Sequence, residues 1–388
     1  MPMKKINFIK NCLLLGCLIL TYSACRKDAK PIPEVVTTIT KADTGALSGL
    51  YVLNEGNMGS NKASLDFLDY STGKYHKDIY EQDNPGVVKG LGDVGNDLGI
   101  YGSKLFIVVN NSNLVEVVNA RSGKHINFVS IQNCRNVTFT NGKAYVSAYL
   151  GIVGDPKAPN GAVYEIDTAT LQITRKVTVG RQPEEMAIVN GKLYVANSGG
   201  YSPPNYERTV SVVDLASFTV IKLIDVAINL EKVKADQYGD LYVTSRGDYY
   251  SIPPDLYVID TKTDSVKKDF KLPVSNLWIK GDTAYMYSVA FSYVTGKNTI
   301  SYGMIDVKTE TVLNKQFITD GTDKQIAVPY GIAVNPVTGE VYVADAKDYV
   351  TPGTLYSFDT NGKKEWQVTT GDIPGHFAFL YNSTQNKN

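Results

Sequence analysis

The sequence predicts an all-β protein, namely a seven-bladed β-propeller with four antiparallel strands per blade and a first blade closed by the C-terminal strand. The main observation is an aromatic residue followed by Val, Ile or Met, which recurs seven times inside apolar strands. Each copy is followed by a second apolar strand, which usually ends in Asp or Asn and a turn. The seven aromatic residues are Tyr51, Phe106, Tyr145, Tyr194, Tyr242, Tyr285 and Tyr342.

The N-terminal residues 1–24 are predicted to be a lipoprotein signal peptide. Two lysines precede a short apolar run, and small residues then lead to Cys25, in a pattern that resembles a bacterial lipobox. This resemblance implies cleavage before Cys25 and lipidation of its thiol, whereas a plain secretory signal is the alternative. The polar residues 25–48 are then expected to form a lipidated, flexible tether, and residues 49–388 the propeller.

The two ends of the propeller are predicted to pair with each other. The C-terminal stretch "IPGHFAFLY" has the form of the strands that precede the aromatic strand in other blades, but no aromatic strand follows it. Conversely, Tyr51 has only the tether before it. We therefore expect Phe377–Tyr381 to pair beside Leu50–Leu53, because this closure removes two open strand edges.

Composition excludes some functions. The 388 residues contain 39 Lys and Arg and 39 Asp and Glu, so the formal net charge is zero and gives no basic face for nucleic acid. After Cys25, the chain has only Cys134, which cannot form a disulfide framework. We expect Cys134 to be a small buried apolar residue.

The connections between the second and third strands of the blades predict a ligand site. Most are longer than a hairpin requires, and in a propeller they project from one face. Their tyrosines, arginines and asparagines suit a large, uncharged or zwitterionic ligand, although the tyrosines would alternatively pack on neighbouring loops. With two residues from connections between blades, the predicted ligand-binding residues are Asn54, Asn110, Tyr149, Arg181, Asn197, Tyr201, Tyr206, Arg208, Arg246, Tyr249, Tyr250, Phe291, Tyr293, Tyr330 and Tyr349.

The sequence predicts no catalytic residues, no metal site and no cofactor. Its three histidines lie in separate stretches, and no zinc spacing or calcium loop is present. The stretch "GLGDVG" matches Gly-x-Gly-x-x-Gly, but it lacks a βαβ context and is interpreted as a connection between blades. Glu55 and Asp345 are the candidates for a carboxylate pair at the central funnel.

The repeat formed by "VGRQPEEMAI", "GKLYVANSGG" and "VSVVDLASFTV" resembles the YncE-like propeller repeat. The opening "GLYVLNEGNMGSNKASLDFLDYSTG" resembles surface lipoproteins of gut Bacteroidetes, including the corrinoid (vitamin B12)-binding propellers that sit over a TonB-dependent outer-membrane transporter. The resemblance covers the whole chain after the signal peptide. It implies a lipid-anchored outer-membrane protein, facing the cell surface, that captures corrinoids and delivers them to such a transporter.

Two other functions remain open at the level of sequence. A glycan-binding surface lipoprotein of a nutrient-uptake system is the first, and a propeller lyase or lactonase is the second. Glycan sites usually stack sugars on tryptophan, but neither Trp278 nor Trp366 lies in a second-to-third connection. An enzyme would require convergent acid, base or metal ligands at the funnel, and the sequence gives no motif for them.

Overall fold

The computed structural model describes residues 35–41, 45–200 and 202–382. The described residues form seven antiparallel sheets, and the innermost strand of each sheet contacts the innermost strands of its neighbours around a central axis. The predicted seven-bladed propeller is therefore confirmed. The predicted signal peptide, the lipidation site Cys25 and Tyr201 lie outside the described residues.

Strands are numbered in chain order. Blade 1 contains β1 (Val35–Thr38), β2 (Leu47–Asn54), β3 (Ser64–Asp69) and β4 (Lys74–Lys77), which is followed by the short helix α1 (Ile79–Asp83). Blade 2 contains β5 (Gly95–Tyr101), β6 (Lys104–Val109), β7 (Leu114–Asn119) and β8 (His125–Ser130). Blade 3 contains β9 (Cys134–Thr140), β10 (Lys143–Ala148), β11 (Ala162–Asp167) and β12 (Ile173–Thr178).

The remaining blades repeat this order. Blade 4 contains β13 (Pro183–Val189), β14 (Lys192–Asn197), β15 (Thr209–Asp214) and β16 (Thr219–Asp225), and blade 5 contains β17 (Leu230–Ala235), β18 (Asp240–Ser245), β19 (Asp255–Asp260) and β20 (Ser265–Asp269). Blade 6 contains β21 (Asn276–Lys280), β22 (Thr283–Ser292), β23 (Lys297–Asp306) and β24 (Thr311–Leu313). A 3₁₀ turn (Thr322–Lys324) leads to blade 7, which contains β25 (Pro329–Val334), β26 (Val341–Asp345), β27 (Pro352–Phe358) and β28 (Lys364–Asp372); β29 (Pro374–Tyr381) returns to blade 1.

The closure of the ring follows the predicted register. β29 pairs antiparallel with β2, with Leu50 opposite Phe379, Tyr51 opposite Ala378 and Val52 opposite Phe377. β29 thus becomes the innermost strand of blade 1, and the two ends of the chain share one sheet. This pairing covers the inner edge of β2, which would otherwise be open.

The segment predicted as a tether differs from the structure at its C-terminal end. β1 pairs antiparallel with β4, from Val35 opposite Lys77 to Thr38 opposite Lys74, and forms a fifth, outermost strand of blade 1. The sheets of the propeller therefore already include Val35–Thr38, which precede the predicted start at residue 49. The physical reason is that β-branched residues in an extended segment pair readily with the otherwise open edge of β4.

The repeated aromatic residue has a structural role between blades. Tyr51, Tyr194, Tyr242 and Tyr342 are at most 2 % exposed, and each hydroxyl group reaches a neighbouring blade. The hydroxyl groups of Tyr51 and Tyr242 donate to the carbonyls of Ala120 at 2.9 Å and Val307 at 3.1 Å, respectively. Tyr194 donates to the carboxylate of Asp264 at 2.6 Å. The hydroxyl of Tyr342 is hydrogen-bonded to that of Tyr70 at 2.9 Å. The ring fills the space between two blades while the hydroxyl stays hydrogen-bonded. This explains why tyrosine dominates the repeat.

All the innermost strands run in the same direction, because each blade begins at the axis and ends at the rim after three reversals. The second-to-third connections and the connections between blades therefore lie on one side of the disc, which we call the tip face. The other side carries the first-to-second and third-to-fourth turns, and we call it the turn face. β22 and β23 have 10 residues each, so their hairpin rises above its neighbours on the tip face.

Candidate functional site

A central cavity of about 520 Å³ opens on the tip face, and residues from all seven blades line it. Its floor is formed by the starts of the innermost strands. Its walls come from the second-to-third connections of blades 1, 2, 5 and 7 and from the raised β22–β23 hairpin. Cavities of this size at the convergence of many elements are typical small-molecule sites. This cavity is therefore the candidate functional site.

β-Bulges place the floor residues. Strands β5, β13, β17 and β25 each show a register shift near their first residues. A bulge aims consecutive side chains toward the same side of the strand, so two polar residues in sequence can both face the axis. Six of the seven innermost strands contribute their second residue to the cavity lining, namely Asn96, Arg135, Glu184, Glu231, Tyr330 and Gly375. The third residues below them include Asp97, Asn136, Glu185, Lys232 and His376, and we call this layer the partition.

Glu184 is the centre of the ion-pair network on the floor. Its side chain is 3 % exposed, and its carboxylate lies 3.1 Å from Arg135 Nη2 and 3.3 Å from Arg246 Nη1. The Tyr149 hydroxyl also donates to it at 2.6 Å. Burial raises the pKa of Glu184, but the two guanidinium groups and the hydroxyl outweigh burial and lower this pKa to about 2. Glu184 is therefore ionised at neutral pH, and its charge is neutralised locally.

A second polar chain crosses the floor at blade 1. The imidazole Nε2 of His376 lies 2.9 Å from Glu55 Oε1, and the hydroxyl of Tyr330 donates to Glu55 Oε2 at 2.9 Å. His376 Nδ1 lies 4.0 Å from Asp97 in the partition. Asp345, the candidate partner of Glu55, does not belong to this hydrogen-bonded group of side chains. Asp345 is 2 % exposed and accepts the backbone N–H groups of Val328 and Ala327, so it stabilises a connection between blades.

The charges of the described cavity lining balance. Three carboxylates, from Glu55, Glu184 and Glu231, face three cations, from Arg135, Lys232 and Arg246, with His376 beside them. Arg246 also bonds Glu231 at 2.9 Å, which links the two halves of the network. A lining with paired charges offers many hydrogen-bonding groups but little net attraction for an ion. In the described part of the chain, no group of three or more His, Cys, Asp or Glu residues is arranged to hold a metal ion.

An aromatic rim flanks the cavity at blades 5 to 7. The Tyr293 ring stacks on Tyr250, with centroids 5.1 Å apart, and meets the edges of Phe291 at 5.0 Å and Tyr249 at 6.2 Å. Tyr250 and Tyr293 are 63 % and 60 % exposed, respectively. Exposed rings that are already packed against each other offer apolar surface at a low ordering cost.

The structure places six of the predicted residues at the cavity: Asn110, Arg246, Tyr249, Phe291, Tyr330 and Tyr349. Tyr250 and Tyr293 belong to the aromatic rim. Tyr206 is half-buried near this rim. Burial is the main cause that raises the pKa of its hydroxyl group, and the negative charge of Asp248 raises this pKa further. Arg208 is exposed and pairs with Asp225.

Four predicted residues are buried in the fold. Asn54 and Asn197 are fully buried at the ends of equivalent strands, and their amides bond Ser64 and Thr209, respectively. Tyr149 is 2 % exposed, and its hydroxyl donates to Glu184. Arg181 is 8 % exposed and donates to the carbonyl of Pro156 at 2.6 Å, so it ties the connections of blades 3 and 4 together. These side chains expose almost no surface to a ligand, because each completes a hydrogen-bond network that the chain itself requires.

Sequence reasoning missed the charged floor. Its residues lie within innermost strands such as "PEEMAIV" and "LEKVKA", for which the repeat pattern predicts a strand but no site. A signal was nevertheless present, because a strand surrounded by other strands should be apolar, yet these begin with two adjacent polar residues. That pattern indicates a bulge and an axial position.

Comparisons with solved structures agree with the fold. The structure resembles a quinonprotein alcohol dehydrogenase-like protein from Bacteroides thetaiotaomicron, with a TM-score of 0.58, 16% identity and coverage of 87% of this chain and 78% of the other. It also resembles a hypothetical selenium-binding protein from Sulfolobus tokodaii (TM-score 0.59, 10% identity, 87% and 94% covered) and hydrazine synthase from Kuenenia stuttgartiensis (TM-score 0.51, 17% identity, 69% and 77% covered). At these identities the likeness extends to the fold alone.

Sequence comparison is more specific about family. No curated protein matches the chain. Residues 48–379 match the family model described as "Domain of unknown function (DUF5074)". That match spans blades 1 to 7, from β2 to β29. The chain therefore belongs to the DUF5074 family.

Proposed function

We propose that this propeller captures a corrinoid on its tip face, holds it without chemical conversion and delivers it to a TonB-dependent outer-membrane transporter. The observation that carries the proposal is the charge-balanced cavity beside an exposed aromatic rim. A corrinoid is a large, nearly flat molecule fringed with amides, and it carries apolar ring edges. The cavity and the rim offer one surface for each of these two parts.

The polar part of the ligand would face the cavity. Asn276 and Asn298 line it with amides, while Arg246 and Tyr330 present further polar groups at its wall and floor. Because the floor charges already neutralise one another, amide groups can enter without leaving an unpaired ion. The volume of about 520 Å³ suits the entry of side groups, with the macrocycle lying across the mouth.

The apolar part of the ligand would lie on the aromatic rim and on exposed residues opposite it. Phe291 and Tyr293 rise on the β22–β23 hairpin, and Met58, 70 % exposed, projects from the connection of blade 1. Covering these surfaces removes apolar area from water, which favours binding by about 25 cal/mol per Å² before ordering costs.

Delivery to a transporter rests on the sequence resemblance to surface lipoproteins. Lipidation at Cys25 would hold the disc at the outer membrane, facing the cell surface, with the transporter as its partner. Among the described residues, no helix is long and apolar enough to span a bilayer. Attachment through the lipid is the route that the lipobox-like sequence supports.

The test is titration calorimetry of the soluble chain from Glu34 onward with cyanocobalamin, beside a panel of oligosaccharides and a lactone and ester hydrolysis assay. We expect a clear isotherm with cyanocobalamin, no isotherm with the sugars and no turnover. Binding of an oligosaccharide alone would support the glycan-binding alternative. Turnover without corrinoid binding would support the lyase or lactonase.

Variants then test the assigned face. Phe291→Ala and Tyr249→Ala should each weaken corrinoid binding by about 2 kcal/mol, which is about 30-fold in Kd. Tyr238→Ala is the matched control, because Tyr238 is an exposed tyrosine in the turn between β17 and β18, on the turn face. If the tip-face variants bind as tightly as this control, the ligand lies elsewhere on the molecule.

A further inference from the structure

A second cavity of about 340 Å³ lies on the axis beneath the partition, toward the turn face. Its lining comes from later positions of the same innermost strands than those that line the first cavity. The two cavities have no lining residue in common. A ligand in the second cavity would therefore not touch the proposed corrinoid site.

Nine of the twelve residues that line this second cavity have apolar side chains. Leu98, Val137, Met186, Val233, Ile279 and Phe377 line it, together with the ring of Trp278 and two alanines. Its volume lies at the lower end of the range of small-molecule sites, roughly 300–1,000 Å³. The cavity therefore has room for a short hydrocarbon group.

The charged residues that line the second cavity are Asp97, Glu185 and Lys234. These two carboxylates and one ammonium group leave one negative charge in excess. Lys234 Nζ lies 2.5 Å from Glu185 Oε1, and the other oxygen of Glu185 accepts the N–H of Val233 at 2.8 Å, so this pair is neutral overall. The oxygens of Asp97 accept backbone N–H groups of Leu98 and Val137, each at 2.9 Å. The closest ion-pair partner of Asp97 is His376, whose Nδ1 lies 4.0 Å away.

Burial raises the pKa of Asp97, and the nearby imidazole of His376 offsets this effect only in part. Asp97 and Glu185 are the third residues of β5 and β13, so they lie at the partition end of the cavity. Ile279 and Ala235 occur later in their strands and lie nearer the turn face. The cavity thus has an anionic inner end and an apolar outer part.

We propose that this second cavity is a binding site for a small amphipathic cation, a primary ammonium ion with a short hydrocarbon chain. The ammonium group would lie against the carboxylate of Asp97, where it makes charge-assisted hydrogen bonds. The hydrocarbon chain would pack against Trp278, Met186 and Phe377. A carboxylate ligand is disfavoured by the same unbalanced charge, and an alcohol leaves that charge unpaired.

Tryptophan fluorescence can test this proposal directly, because the sequence contains two tryptophans and only Trp278 lines the cavity. A Trp366→Phe background makes Trp278 the single reporter. The probes are n-hexylammonium, n-hexanol, n-hexanoate and ammonium chloride, titrated at pH 7. We expect hexylammonium to bind about tenfold more tightly than hexanol, and hexanoate and ammonium chloride to cause no saturable change.

Two variants locate the site. Asp97→Asn should abolish the preference for hexylammonium over hexanol, whereas Asp225→Asn, an exposed carboxylate on β16, should leave it unchanged. Ala235→Leu should fill the cavity and weaken both ligands; it remains decisive if Asp97→Asn does not fold. Equal affinity for hexylammonium, hexanol and hexanoate, absence of any saturable change, or persistence of the preference in Asp97→Asn would overturn the proposal.

A cyanocobalamin titration of the same variants separates this proposal from the proposed function. Because the two cavities share no lining residue, Ala235→Leu should bind cyanocobalamin as the parent protein does. Loss of hexylammonium binding with unchanged cyanocobalamin binding is the expected result. Failure of the protein to bind any corrinoid would leave the hexylammonium result standing on its own.

Discussion

At the scale of single residues, Glu184 shows how the fold accommodates a full charge next to the axis. Its carboxylate is almost completely buried, yet it accepts hydrogen bonds from Arg135, Tyr149 and Ser198 as well as pairing with Arg246. Arg135 also lies over the Tyr149 ring, with its guanidinium carbon 5.0 Å from the ring centroid. The network therefore depends on one carboxylate that several blades share.

We expect Glu184→Gln to destabilise the protein by about 3 kcal/mol, because it leaves two buried guanidinium groups short of their carboxylate. The measurement is urea unfolding of the chain from Glu34 onward. Asp225→Asn is the control, because it removes one half of an ion pair whose side chains are 55% and 69% exposed, and it should cost less than about 1 kcal/mol. Equal losses in the two variants would contradict the central role of Glu184.

The same residue predicts a pH dependence. The pKa of Glu184 falls from 4.5 to about 2 on folding, so its contribution to stability is fully present above pH 4.5 and is lost as the pH falls toward 2. The parent protein should therefore lose more free energy of unfolding between pH 4.5 and 2 than Glu184→Gln does. Parallel curves for the two proteins over this range would refute the assignment.

At the scale of elements, β1 and β29 show how the ends of the chain are secured. β29 is the innermost strand of blade 1, and its residues Phe377, Ala378 and Leu380 are buried in the hydrophobic core. β1 covers the outer edge of the same blade. Blade 1 is thus built from both termini and joins the two ends of the ring.

Ending the chain before Pro374 should remove roughly 5 kcal/mol or more of stability, because buried side chains of β29 are lost and β2 becomes an open edge. Thermal unfolding followed by circular dichroism measures this effect. A chain that ends at Asn382 is the matched control, since it keeps all of β29. If the two shortened chains melt alike, β29 does not close the ring in solution.

At the scale of the whole molecule, the disc has two distinct faces along one axis. The tip face has a charge-balanced cavity and an aromatic rim, and the turn face has a smaller cavity with apolar walls and an unbalanced carboxylate. The partition between them consists of polar residues from the innermost strands. One propeller therefore has two chemically different cavities.

The proposed membrane attachment is tested on the whole protein. Expression of Cys25→Ala should release a folded propeller into the soluble fraction, because no lipid is then attached, while the parent protein stays with the outer membrane. Cys134→Ala is the control, since Cys134 is fully buried in the propeller and that variant keeps Cys25. Retention of Cys25→Ala in the membrane, together with the parent protein and the control, would rule out lipid attachment at this residue.

The sequence by itself determined the fold, the blade count and the closure. The repeated tyrosine and the turn that follows each second strand are local patterns, and they report burial between blades directly. The pairing of Phe377–Tyr381 with Leu50–Leu53 followed from one incomplete unit at each end of the chain. The polar, tyrosine-rich connections predict a ligand site on the tip face, and there Arg246, Tyr249 and Phe291 line the cavity.

Only the tertiary structure decided which polar residues line the cavity and which complete the fold. Asn54 is the last residue of β2, and Arg246 directly follows β18. Asn54 is buried and hydrogen-bonded within its own blade, whereas Arg246 reaches the central cavity. The charged floor was equally hidden, because Arg135, Glu184 and Glu231 are far apart in sequence and meet only when seven strands converge on one axis. Bulges then decide which of two adjacent polar residues faces each cavity, and this depends on pairing between strands rather than on local pattern.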